Sequence, residues 1–164
     1  MALDMFIKFD GMTGSSQDKA QKGNSDVLAY SWGMSQSGSF HTGAGGGAGK
    51  VNIQDLSFTK YLDDSTTALM MHCCTGKHIP KVVMLIRKAG GELGKPGDKE
   101  VEITMTKVMV TSVSTGGSGG EDKFTENVTL NFAEIKFENF KQDAKGVVST
   151  AGNLDWNIAE NAGK

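Results

Sequence analysis

A chain of 164 residues with 17 basic and 19 acidic side chains, a formal net charge of −2, has no cationic field to draw in nucleic acid or an anionic membrane surface. The length fits one domain, residues 1–164, with a core of its own, and no apolar run approaches the roughly 20 residues that a membrane-spanning helix needs. Twenty-two glycines against two prolines, among abundant threonine, valine and serine, predict many strands joined by glycine turns, a mainly β fold.

The chain opens with "LDMFIKF", in which Leu3, Met5, Ile7 and Phe9 alternate onto one face as in a half-buried strand. Asp4 and Lys8 interrupt the apolar stretch and no basic leader precedes it, so the segment reads as a first strand and not as a cleaved signal. In "VLAYSWGMS", residues 27–35, the large Leu28, Tyr30, Trp32 and Met34 are expected toward the core, which turns Ser31 outward.

The next stretch, "SFHTGAGGGAGK", raises the question of a phosphate cradle, because bare glycine N–H groups and a following lysine can close on an anion. A Walker loop ending at Gly49 and Lys50 requires glycine at 44 and a hydroxyl at 51, where the chain has Ala44 and Val51. The dinucleotide pattern fits Gly43, Gly45 and Ala48, with Asp63 at the spacing of a ribose-binding acid. That pattern must follow a buried strand and open a helix, whereas "MSQSGSFHT" is polar and "KVNIQDLSF" is strand-like. The segment is therefore expected to be a long connection between two strands.

"VNIQDLSFTKYL" starts with Val51 and Ile53 in phase and shifts parity to Leu56 and Phe58, predicting a bulge or bend near Gln54 and Asp55. "DDSTTALMMHCCTGK" changes period: Asp64 or Ser65 can cap, Ala68, Leu69, Met70, Met71 and Cys73 fall at helical spacing, and Gly76 offers the stop. One helix of about three turns over 65–75 is predicted. "KVVMLIRKAGGE" gives a strand over 80–88 that ends at Gly90 and Gly91. Val101, Ile103 and Met105 share a face before a shift to Val108 and Val110, and Val128, Leu130 and Phe132 shift at Ala133 and Glu134 to Ile135 and Phe137. Three long strands with parity breaks indicate a closed or sharply coiled sheet, since bulges turn barrel corners. "STGGSGGED" is a second glycine-rich loop, made anionic by Glu121 and Asp122, and "NLDWNIAEN" supplies a final short strand around Trp156 and Ile158.

His72, Cys73, Cys74 and His78 are zinc-ligand types, but consecutive helical residues point about 100° apart and do not converge on one ion. No metal site is expected, and the cysteines read as partly buried small hydrophobes. Adjacent cysteines bridge only through a strained ring, so a structural disulfide is not expected and the chain is expected to fold under reducing conditions. No G-x-S-x-G elbow places a serine beside a base, and Asp63 and Asp64 at a helix start are explained by capping and the helix dipole. No catalytic residue and no cofactor is expected.

Taken together, "DMFIKFDGMTG", "DVLAYSWGMSQSGSFHTGAGGGAGKVNIQDLSFTKYLDDST", "LMMHCCTGKHIP", "LIRKAGGE", "VTSVSTGGSGGEDKFTENVTLNFAEI" and the terminal "WNI" closely resemble, in order and over essentially the whole chain, the haemolysin-coregulated protein (Hcp) family, the tube protein of bacterial type VI secretion. The resemblance implies a compact β-barrel of two antiparallel sheets with one flanking helix. It also implies a ring of six copies, stacked head to tail into a hollow tube that a contractile sheath drives out of the cell behind a spike protein. Small effector proteins would ride in the lumen. Localisation would then be cytoplasmic before firing and extracellular after it, without a cleaved signal peptide, nucleic acid or membrane insertion.

By the same resemblance the loop over 38–50 projects toward the neighbouring ring, so Phe40, His41, Thr42, Gly43, Ala44, Gly45, Gly46, Gly47, Ala48 and Gly49 are expected at the ring-to-ring contact, and Ser31 at a lumen position that meets cargo. His72, Cys73 and Cys74 depart from the family pattern. With "WNI" close to its last residue, the chain is expected to lack the C-terminal toxin domain that some extended members carry. A monomeric β-barrel module for a small ligand is the alternative, which explains strands and glycine loops but not the ordered blocks. A nucleotide-dependent enzyme would rest on Gly43, Gly45, Ala48 and Lys50 alone.

Overall fold

The computed structural model of the protein describes residues 2–41, 47–89 and 99–164. Ten strands and one helix follow in the order β1 (Leu3–Phe9), β2 (Ser25–Ser31), β3 (Met34–Ser35), β4 (Asn52–Ile53), β5 (Leu56–Tyr61), α1 (Thr66–Thr75), β6 (Ile79–Lys88), β7 (Lys99–Gly116), β8 (Thr125–Gln142), β9 (Val148–Asn157) and β10 (Ala162–Gly163). Strands β8, β5, β2, β1, β6 and β7 are hydrogen-bonded in that order, and β7 pairs back onto β8, so six antiparallel strands close a barrel. Strands β9 and β10 continue from β8 outside the ring of strands, and β3 with β4 forms a second, two-stranded sheet.

The parity breaks are what allow closure. In β7, Ile103 and Met105 face the interior, Lys107 adopts a left-handed φ of 54°, and Val108 and Val110 then face inward. In β8 the switch falls opposite it, from Phe132 to Ile135. The cross-strand pairs Met105 with Ile135 and Val108 with Phe132 both point inside, so the two long strands turn the corner together. The break at Gln54 and Asp55 is also present: the Gln54 N–H donates to Gly33 O at 2.9 Å, and Trp32 Nε1 donates to Gln54 O at 3.0 Å.

Ile7, Leu56, Met84, Ile103, Met105 and Leu130 are fully buried and fill the barrel. Leu69 of α1 is likewise fully buried in this core, and the helix packs over β7. The helix stops where expected, at Gly76 with φ 68°, whose N–H donates to His72 O at 2.9 Å.

Four expectations need correction. Leu28 is 42% exposed because a register shift between Val27 and Ala29 makes it the extra residue of the β2–β5 pair; Val27 precedes it into the core, and Tyr30 and Trp32 follow against it. Met34, in the short β3, is 44% exposed. Leu3 is 53% exposed at the start of β1, while Phe6, on the opposite face from Ile7, is buried beneath Arg87. The final strand is also longer than predicted, since β9 starts at Val148 and ends before Ile158. The predicted strand end at Gly90 and Gly91 lies outside the described residues.

Candidate functional site

Strands β2 and β5 place two of the candidate features at their shared end. Ser31, the last residue of β2, pairs with Ser57 near the start of β5. Its exposed side chain joins a shallow depression with Ala29, Ser57, Thr59 and Asn127. The hydroxyls and amide of this face bond one another: Ser57 Oγ and Thr129 Oγ1 lie 3.1 Å apart, and Thr59 Oγ1 donates to Asn127 Oδ1 at 2.6 Å. Farther along, Asp55 accepts from Asn131 Nδ2 at 2.8 Å and from Thr111 Oγ1 at 3.3 Å. The depression around Ser31 is therefore lined by uncharged side chains, several of them hydrogen-bonded to one another or to a neighbour. Of these residues only Ser31 is a site candidate from the sequence. The alternation of "LSFTKY" and "ENVTLNF", with every second residue small or polar, carried the signal for the rest.

The long loop leaves from the same end. Its stem is the pairing of Met34 with Ile53 and Ser35 with Asn52. Farther out, Ser39 and Gly47 bridge a second time, with N–H to O distances of 3.3 and 3.5 Å. Phe40, immediately past that bridge, is 86% exposed. Gly49 has a packing reason: a Cβ there would lie 2.3 Å from Ser37 Oγ. Beyond Lys50 the chain enters strand β4 and not a helix, so the flanks of a phosphate loop are missing. Thr42, Gly43, Ala44, Gly45 and Gly46 lie outside the described residues. Phe40, His41, Gly47, Ala48 and Gly49 are all exposed.

At the opposite end of β5 lies a cluster that sequence reasoning missed. Lys60 of β5 and Glu126 of β8 sit opposite each other in register, both with no exposed surface, and form an ion pair. Lys60 Nζ also donates to Asp63 Oδ1 at 2.8 Å and to Tyr61 O at 3.2 Å. The Thr66 hydroxyl donates to Glu126 Oε1 at 3.2 Å and accepts from the Asp63 N–H at 3.0 Å. Ser65 stands at the N-cap position, yet its hydroxyl donates to Asp63 Oδ1 at 2.5 Å and caps nothing in the helix. Burial alone would raise the Asp63 pKa, but hydrogen bonds from Lys60, Ser25 and Ser65 outweigh it and hold the carboxyl below its usual range. The cluster ties the start of α1 to β5 and β8, which is a structural clamp. On the outer face of β1 a second one, Arg87 paired with Asp18 and lying 4.9 Å above the Phe6 ring, fastens the 10–24 connection.

The histidine and cysteine run is dispersed. His72 Nδ1 lies 2.8 Å from Ala68 O, Cys73 packs partly against the core, and Cys74 is exposed. Both thiols are free, and among the described residues no three His, Cys, Asp or Glu side chains converge as a metal site would require. Among the described residues no helix is long and apolar enough to cross a membrane.

The sequence over 6–138 matches the family described as "Type VI secretion system effector, Hcp". Protein hcp1 of Pseudomonas aeruginosa is 56% identical over 165 residues, covering 98% of each chain. Among solved structures, one described as a type six secretion system protein superposes with a TM-score of 0.90 at 26% identity, over 99% of this chain and all of that one. Hcp1 of Salmonella typhimurium superposes with a TM-score of 0.79 at 32% identity, over the whole of both chains.

Proposed function

The chain belongs to the Hcp family of type VI secretion proteins, and from that premise we propose that it is the structural subunit of the secretion tube. Six copies close a ring through a contact between two different surfaces of the barrel, and rings stack head to tail into a hollow tube. A contractile sheath expels the tube behind its spike protein. The full 1–164 chain acts as one domain in this role, cytoplasmic until firing and extracellular afterwards, and it works by assembly and not by catalysis.

The observation that carries the proposal is the long loop: pinned at its stem and again at Ser39 and Gly47, it holds an aromatic side chain in solvent beyond one end of the barrel. Loop 40–49 makes the ring-to-ring contact in this reading. Deleting 43–47 leaves a six-subunit mass in size-exclusion chromatography with light scattering but abolishes multi-ring particles in electron micrographs. Unaltered tubes would refute the role of the loop, and a monomeric mass for the native chain would refute the ring.

The neutral hydroxyl face around Ser31 is the surface we assign to the lumen, where effector proteins are held weakly enough to be released. Ser31→Gln thrusts a longer amide into that face and is expected to reduce effector recovered with the rings in pull-downs; unchanged recovery would remove Ser31 from the assignment. A barrel serving as a pocket for a small ligand would need a hollow interior, and here Ile7, Leu56, Met84, Met105 and Leu130 occupy it.

A further inference from the structure

Stacking through the loop requires a surface to receive it, and the pairing inferred for that surface rests on the tube reading and extends it. Strand β5 runs from Leu56, next to the loop's stem, to Tyr61, so whatever lies beyond Tyr61 is at the other end of the barrel wall, roughly 17–20 Å away along the strand. At that far end is a cleft of about 280 Å³ lined by the large Tyr61, Leu62 and Phe124 and by polar side chains that include Asp26, Asp63 and Lys123. Its volume falls just under the range of about 300–1,000 Å³ usual for small-molecule sites, which suits one inserted side chain better than a cofactor.

The walls are fixed in place. The Leu62 N–H donates to Phe124 O at 3.1 Å, and Lys123 Nζ lies 5.1 Å from the Tyr61 ring centroid. The Phe124 ring lies so close over Gly117 that a Cβ there would be 2.0 Å from it. Nevertheless Tyr61, Leu62 and Phe124 are all exposed. Three large apolar side chains sharing one cleft at one end, and an isolated aromatic at the other, are complementary only between copies.

Charge points the same way. The loop over 36–51 carries His41 and Lys50 and no carboxylate, whereas the cleft is lined by two carboxylates, Asp26 and Asp63, against one cation, Lys123. We infer that Phe40 of one copy seats between Leu62 and Phe124 of a copy of this chain in the adjoining ring. Because the two surfaces differ, the contact is heterologous and repeats without closing, as a growing tube requires. Each contact is small, and the ring supplies several in parallel, so stacking is held by avidity.

A charge swap tests the pairing directly. Phe40→Lys alone and Leu62→Asp alone are each expected to cut the share of multi-ring particles at least tenfold while leaving the single-ring mass unchanged, and the double variant to restore stacking. If deleting 43–47 abolishes stacking but Leu62→Asp does not, or the double variant shows no rescue, the cleft is not the receiver and the loop's role in stacking survives. If the deletion leaves tubes intact, the loop's role itself fails. Should Leu62→Asp not fold, Phe40→Cys with Lys123→Cys, in a chain whose Cys73 and Cys74 are serine, places both new thiols at exposed positions. A short bis-maleimide should then give a ladder of linked chains from assembled tubes, and its absence from visible tubes overturns the proposal.

Discussion

Lys60→Met is the most informative single change to this barrel. It removes an ammonium group that has no exposed surface and that contacts Glu126, Asp63 and Tyr61 O. Asp63 keeps the Ser65 N–H and hydroxyl, but Glu126, equally buried, keeps only the Thr66 hydroxyl. Stranding a buried charge in this way costs about 3–5 kcal/mol, a large part of the roughly 5–15 kcal/mol that holds an ordinary domain together. Glu126→Leu costs less, about 2–3 kcal/mol, because Lys60 retains Asp63. Replacing both charges with apolar side chains of similar size should come within about 1 kcal/mol of the native protein. Urea denaturation of the native protein and the three variants at one protein concentration measures the cycle, the fixed concentration keeping any mass-action contribution from self-association comparable. A double variant that loses the sum of the two single losses would show the pair to be uncoupled and the reasoning wrong.

Three further outcomes arise from local geometry. The depressed pKa of Asp63 contributes stability that is complete above its unfolded value near 3.8 and is lost as pH falls through its lower folded value; Asp63→Asn should therefore flatten the acid limb of melting temperature against pH below about 4. Lys107→Gly should stabilise by up to about 1 kcal/mol in chemical denaturation by relieving its left-handed backbone, and Lys107→Val should destabilise by about 1–2 kcal/mol. Gly76→Ala should lower the melting temperature by the equivalent of about 1 kcal/mol, since its φ of 68° is unfavourable for any residue with a Cβ.

What could be read from the sequence was whatever is written in period and breaks in period. The shifts at Lys107 and Ala133 mark a barrel corner because the inward-facing positions change parity there, the one at Gln54 marks the step from β4 to β5, and Gly76 marks a helix end because of its backbone. Leu28 misled because a bulge begins at it, so its size predicts the wrong face. Strand β9 was largely hidden: "VSTAGN" is small and polar, and it is a strand because the protruding half of β8 supplies main-chain partners from Glu134 to Gln142. Lys60 and Glu126 were invisible as a pair, since each occupies an inward position where pattern demands an apolar residue, and only the β5–β8 register brings them together. For the site, Ser31 and the loop came from resemblance, whereas the cleft proposed to receive Phe40 joins residues from separate parts of the chain and carries no linear signature.

The closing seam between β5 and β8 also governs how the protein is made. On the ribosome, Leu56 and Phe58 emerge with Tyr61 long before Thr125 begins the strand that will pair with them. At about 5–20 residues per second that interval lasts several seconds, during which β5 is an open sheet edge beside uncovered apolar side chains. Such an edge pairs with any extended chain it meets. For the end-to-end assembly proposed above, sideways pairing between copies at this seam during synthesis is therefore the principal hazard.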